Sequence, residues 1–116
     1  MEKVTGIGGV FFKADDADAL RSWYREKLGI DVDPSWGGAQ FGDTVWSIFP
    51  ASTKHFDPST KPYMLNYRVK NLDAMLAQLR AAGVKVEDKV DDTEFGRFAW
   101  ATDPEGNRIE LWEPKP

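Results

Sequence analysis

Glu110 lies in "RIELWEP", residues 108–114, as a carboxylate between two apolar neighbours. Alternation along an extended segment puts Arg108, Glu110 and Trp112 on one face, with Ile109 and Leu111 on the other. A carboxylate on such a face can bind a metal ion, accept hydrogen bonds from a ligand's amine or hydroxyl, or act as a base once burial raises its pKa. It can equally be a structural partner of Arg68 or Arg108, and the residues alone leave both readings standing. A second polar set lies in "MLNYRV", residues 64–69, where Met64, Asn66 and Arg68 share one face and Leu65, Tyr67 and Val69 share the other. Other chemistry is thin. There is no Ser-His-Asp set, phosphate loop or paired-carboxylate motif, and "GIGGVFF" lacks the full spacing of a nucleotide loop and opens a strand. The single histidine, His55, falls in a proline-rich stretch and is expected to be a solvated surface residue.

The elements that position these residues come in two similar halves. Val4 to Lys13 is apolar and β-rich. Asp15 or Asp16 can cap a helix whose stripe is Leu20, Trp23, Tyr24 and Leu28, stopped at Gly29. Strands are expected at Ile30 to Val32, Ala39 to Phe41 and Thr44 to Phe49, then at Tyr63 to Lys70. Asn71 caps a second helix with Leu72, Met75, Leu76 and Leu79 on one face, stopped by Gly83. Strands follow at Val84 to Asp88, Gly96 to Thr102 and Arg108 to Glu113. Asp103-Pro104-Glu105-Gly106 has type I turn chemistry before the last of them. Each half reads β-α-β-β-β. "DADALRSWYREKLGIDV" lies over "NLDAMLAQLRAAGVKV", and "GDTVWSIFP" over "GNRIELWEP", so the chain is an internal duplication. Modules at 1–50 and 62–116 are joined by a loop, 51–61, within "PASTKHFDPSTKP", whose prolines paired strands cannot use.

Composition narrows the function classes. A chain of 116 residues is one domain, 1–116, and its lack of cysteine excludes a disulfide framework, a thiolate nucleophile and a Cys-based metal site. The formal charge of -4, with signs mixed along the chain, argues against a nucleic-acid surface. No apolar run approaches a bilayer span and no signal-peptide layout opens the sequence, so a cytoplasmic protein without membrane contact is expected. Five Trp, seven Phe and three Tyr exceed what so small a core needs, and some should line a cavity or an interface.

The opening "GIGGVFFKADDADALRSWYREKLGI", the middle "YRVKNLDAMLAQLRAAGV" and the ending "DPEGNRIELWEP" resemble the vicinal oxygen chelate superfamily, which includes glyoxalase I, bleomycin-resistance proteins, fosfomycin-modifying enzymes and extradiol dioxygenases. The resemblance implies an α+β fold: two paired βαβββ modules whose curved, mixed sheet forms a cup, usually completed by homodimerisation. It also implies four ligand places in the metal-dependent members. Here Gly9, Ser47 and Met64 stand at three of them and only Glu110 is retained. Gly has no donor, Ser is a poor neutral ligand, and Met sulfur suits soft copper, so no metal or other cofactor is expected. If Met64 marks a ligand place, its face is the cup. Ile7, Gly9 and Phe11 then point inward, with Val10 and Phe12 toward the helix.

The cup is thus expected to carry Phe11, Phe49, Met64 and Trp112, with Trp36, Phe41 and Trp100 from strands less clearly marked in the sequence, and Ser47, Asn66, Arg68 and Glu110 as its polar groups. Mostly apolar walls with a few oriented donors and acceptors make a small-molecule site. The expected function is metal-free binding of a small, partly aromatic or amphipathic molecule, of the sequestration or resistance type, in a homodimer. Two alternatives stand beside it: a metal-dependent lyase or isomerase similar to glyoxalase I, and a structural or interaction domain whose cup is filled. No residue set in the sequence establishes a catalysed reaction.

Overall fold

The β-branched and aromatic runs separated by glycines become eight strands and two helices in the computed structural model, which describes residues 1–116. The first module contains β1 (Gly6–Ala14), α1 (Ala17–Leu28), β2 (Gly38–Phe41) and β3 (Thr44–Pro50). The second contains β4 (Tyr63–Arg68), α2 (Leu72–Ala81), β5 (Lys85–Val86), β6 (Asp91–Thr93), β7 (Gly96–Thr102) and β8 (Arg108–Pro114). They build one sheet in the order β2-β3-β1-β4-β8-β7-β5, with β6 also on β7. The two halves pair their strands in the same pattern. β1 runs parallel to β3 as β4 does to β8, β3 pairs antiparallel with β2 as β8 does with β7, and the modules meet at the antiparallel β1–β4 pair. The expected α+β fold with its curved, open sheet is what the chain adopts.

Each helix starts where a short polar side chain can accept a first-turn N–H. Asp16, not Asp15, accepts from the Ala19 amide, and Asn71 accepts from Ala74. Gly29 ends α1 in the left-handed conformation a glycine adopts freely, at φ 67°. The stripe Leu72, Met75 and Leu76 packs with Val69, Ala99 and Leu111 into the larger core, flanked by Tyr67, Leu79 and Ile109. α1 buries less: none of its residues is fully buried, and its contact with the sheet is an aromatic cluster of Tyr24, Phe12 and Trp46.

Two sequence expectations need correction. Ile30 to Val32 forms no strand. The Ile30 amide bonds back to the Tyr24 carbonyl and Val32 to Ile30, so the backbone is used locally and only an Asp33–Gly38 bridge remains. Ile7 does not enter the cup. A bulge between Ile7 and Gly9 shifts the alternation, pairing Ile7 with Tyr67 of the helix-packed face while Gly9 pairs with Asn66.

Candidate functional site

Three adjacent strands bring the site together. Asn66 on β4 lies opposite Glu110 on β8, and Trp100 on β7 lies opposite Glu110 from the other side. Ile109 and Leu111 pack toward α2, so Glu110 points the other way, into the concave face, where it is only 3% exposed. Burying an ionised carboxylate costs several kcal/mol unless its oxygens are hydrogen-bonded. Here two partners are N–H donors, and His55 is a third in the tautomer that carries its proton on Nε2. Asn66 Nδ2 donates to Oε1 at 2.6 Å, Trp100 Nε1 donates to Oε2 at 2.9 Å, and His55 Nε2 lies 3.1 Å from Oε2.

His55 corrects the expectation of a solvated loop residue. The 51–61 loop folds back over the cup, bringing the imidazole parallel to Phe49 (interplanar angle 2°, centroids 5.4 Å apart) and edge-on to Phe11 and Trp100. Its side chain stays 38% exposed and screens Glu110 from solvent. The neighbouring Phe56 goes deeper. It is 0% exposed and completes a cluster with Phe11, Met64 and Trp100, with Phe49 and Phe98 against it. The one available sequence signal was the adjacent His55-Phe56 pair, an aromatic anchor in an otherwise polar, proline-rich loop.

The other anticipated residues sort into two zones. Ser47 faces Phe11, which also faces Met64, and all three are buried beneath the loop side of the cup. Arg68 and Trp112 form the opposite end: the guanidinium sits 4.9 Å above the Trp112 ring, which stacks parallel to Phe98 at 5.5 Å. Neither arginine pairs with Glu110. Arg68 donates to the Asp43 carbonyl, while Arg108 makes a two-pronged pair with Glu87, at 2.8 and 2.6 Å, and covers Trp100. Planar, bidentate geometry favours Glu87, whose two oxygens are both free to accept. Trp36 and Phe41 also lie elsewhere. They line an outer depression with Leu28, Ile30 and Val32, because Phe41 pairs with Thr44, two residues from the helix-facing Trp46.

The site's donor set does not suit a metal ion. No three His, Cys, Asp or Glu side chains converge anywhere in the chain. At Glu110 the Asn66 amide and the Trp100 indole direct N–H groups at the oxygens that would face a cation; the indole has no lone pair to offer, and Asn66 would have to flip its amide and give up its bond to Oε1 to present one. What the arrangement can do is hold a hydrogen-bond donor against a buried carboxylate, between aromatic rings. One detail marks the floor as finely fitted. Asn66 is 1% exposed and its Oδ1 has no partner, and a Cβ on Gly8 would lie 2.2 Å from that oxygen.

A family profile described as "Glyoxalase/Bleomycin resistance protein/Dioxygenase superfamily" matches residues 6–111. No curated protein matches the chain. Among solved structures, methylmalonyl-CoA epimerase from Mycobacterium tuberculosis is similar at 24% identity and a TM-score of 0.69, over 97% of this chain and 90% of that one. A Streptomyces coelicolor methylmalonyl-CoA epimerase in complex with 2-nitronate-propionyl-CoA is similar at 20% identity and a TM-score of 0.66, over 94% of this chain and 96% of that one. A hypothetical protein from Bacillus halodurans reaches a TM-score of 0.69 at 13% identity, over 99% of this chain and 96% of that one. At these identities the likeness is one of fold. No helix is long and apolar enough to cross a membrane.

Proposed function

Because the chain belongs to the glyoxalase/bleomycin resistance protein/dioxygenase superfamily, we propose that it binds a small, partly aromatic or amphipathic molecule in its cup without metal, by sequestration rather than turnover. The observation that carries this reading is Glu110: a buried carboxylate on an aromatic floor, met only by hydrogen-bond donors, one of them on a partly exposed loop residue. Such a carboxylate orients a ligand's donor group. Asn66 and Trp100 hold the oxygens in place, Phe11, Phe49 and Met64 supply apolar wall, and the Arg68–Trp112–Phe98 stack offers a flat surface at the open end.

Access requires the 51–61 loop to swing aside. Its turn bonds, Asp57 to Lys54 and Ser59 to Phe56, lie within the loop and travel with it. Two hydrogen bonds tie the middle of the loop to the cup, His55 to Glu110 and Arg108 to the His55 carbonyl, and at its start the Ala51 amide bonds to the Ala14 carbonyl of β1. Burial of Phe56, whose ring also carries the Lys13 ammonium at 5.2 Å, is a further hold; the burial is worth about 1.5–3 kcal/mol, which a ligand with an aromatic arm of similar area would replace. The metal-dependent lyase or isomerase reading is disfavoured by the donor set at Glu110. The filled-cup reading draws on the same Phe56 and differs in one respect: the loop would never leave.

We further propose that two copies pair. The radius of gyration of 14.9 Å exceeds the roughly 13–14 Å expected of a compact chain of this size, and α1 has no fully buried residue. Tryptophan fluorescence tests the binding reading. An aromatic amine or amphipathic heterocycle should quench Trp100 and Trp112, and Glu110→Gln should weaken that binding about tenfold or more, the cost of losing a hydrogen bond to a charged group. If no compound of either class alters the emission, and Phe56→Ala unfolds the whole chain, the cup is a filled core.

A further inference from the structure

His55 is bound in the cup as a small molecule would be bound. Its ring lies flat on Phe49, meets Phe11 and Trp100 edge-on, and places a ring nitrogen 3.1 Å from the Glu110 carboxylate. Phe56 sits beside it, with ring centroids 6.3 Å apart and planes tilted by 58°, fully enclosed by the apolar part of the cup. These two side chains reach the floor from a loop rather than from the sheet. The strands that carry the rest of the floor pair with one another and not with the loop.

The geometry points to His55 and Phe56 as place-holders for the natural ligand, which we infer to be a flat nitrogen heteroaromatic with an N–H donor and an apolar arm, displacing both side chains when it binds. This rests on the reading of the cup as a small-molecule site and adds the ligand's chemical class. The class follows from the cavity each side chain fills. The His55 slot lies on the Phe49 face and beside Phe11 and Trp100, with the buried Glu110 carboxylate at its inner end, which selects a planar ring carrying a donor over an anion. The Phe56 slot is bounded by Phe11, Met64, Phe49 and Trp100, with the Lys13 ammonium 5.2 Å above the Phe56 ring, and suits an aromatic arm. An acceptor in the first slot would face Glu110 with two lone pairs opposed, and a carboxylate there would meet like charge. The loop competes with the ligand for the same contacts, so the affinity of the intact protein is lower than the affinity of the cup itself.

Calorimetry with 4-benzylimidazole, which joins a donor heterocycle to an apolar ring, and with 3-phenylpropionate, an anion of similar size, tests the inference. The double variant His55→Ala/Phe56→Ala opens both slots and should bind 4-benzylimidazole at least tenfold tighter than the intact protein does. Adding Glu110→Gln to that variant should cost about tenfold, and 3-phenylpropionate should bind at least tenfold more weakly than 4-benzylimidazole. Equal or tighter binding of 3-phenylpropionate overturns the ligand class while leaving the cup as a binding site. No gain on opening the slots overturns the place-holder role. If neither probe binds, and the intact protein's tryptophans respond to no compound, the small-molecule reading falls as well. Should the double variant not fold, trypsin on the intact protein decides: 4-benzylimidazole should accelerate cleavage after Lys54 as the loop is released, and unchanged or slower cleavage overturns the inference.

Discussion

Replacing Glu110 by Gln and by Ala should give two very different costs, because the site holds a spare acceptor. In Glu110→Ala, three donors lose their partner at once: Asn66 Nδ2, Trp100 Nε1 and His55 Nε2. Each buried orphan costs about 1–3 kcal/mol, and His55, being partly exposed, recovers water, so the expected loss is about 3–5 kcal/mol. In Glu110→Gln the new carboxamide turns its oxygen toward Trp100 and His55 and its N–H₂ toward Asn66. Asn66 then flips its own amide, and the Oδ1 that has no partner in the native site accepts that N–H₂. The hydrogen bonds survive with their charge assistance lost. That loss is partly offset because an ionised carboxylate no longer has to be buried. The expected net cost is about 1–2 kcal/mol. Urea unfolding followed by far-UV circular dichroism measures both, and thermal melting should show a drop of roughly 5 °C for the Gln variant against more than 12 °C for the Ala variant. Equal costs in the two variants would refute the amide-flip reasoning, and a Gln cost above 3 kcal/mol would mean that the charge itself holds the site.

Further outcomes are expected. Gly8→Ala should destabilise the chain by about 1–3 kcal/mol in chemical denaturation and weaken cup binding, because its Cβ would press on Asn66 Oδ1 and on Trp112, 2.9 Å away. Elemental analysis of protein purified without chelator should find far less than one Zn²⁺, Ni²⁺ or Fe²⁺ per chain; about one metal per chain, lost on Glu110→Ala, would contradict the donor-set reasoning. Light scattering at micromolar concentration should give the mass of a homodimer, and a monomer mass would remove the proposed pairing.

The fold was legible because its signals are periodic. The α2 stripe, the alternation of Arg108 to Glu113 about Ile109 and Leu111, and the duplicated segments all depend on spacing, and spacing survives into the structure. The orientation of Glu110 followed from the same alternation. Two local departures were not legible. A single extra residue at Gly8 turns Ile7 to the other face, and a bulge of that kind has no periodic signature. Ile30 to Val32 reads as a short apolar run, yet the Ile30 amide bonds back to Tyr24 of α1 and the Val32 amide to the Ile30 carbonyl. The larger omission was His55. Its place depends on a loop folding back across a sheet, a contact 55 residues away in sequence that no local pattern encodes. The arginines misled for a related reason. Arg108 shares a face with Glu110, yet Glu87 offers it two free oxygens, and Arg68 lies on Trp112.

The most direct test uses the fact that the chain has one histidine. In proton NMR of ¹³C-labelled protein, filtered against the unlabelled ligand, its imidazole C–H resonances are unique, and stacking on Phe49 should displace them from those of a solvent-exposed histidine. During a titration with 4-benzylimidazole these resonances should move to the positions of a solvent-exposed histidine, in step with the quenching of tryptophan fluorescence. Binding that leaves the His55 resonances where they were would contradict this expectation, because the ligand would then lie outside the cup that Glu110 defines.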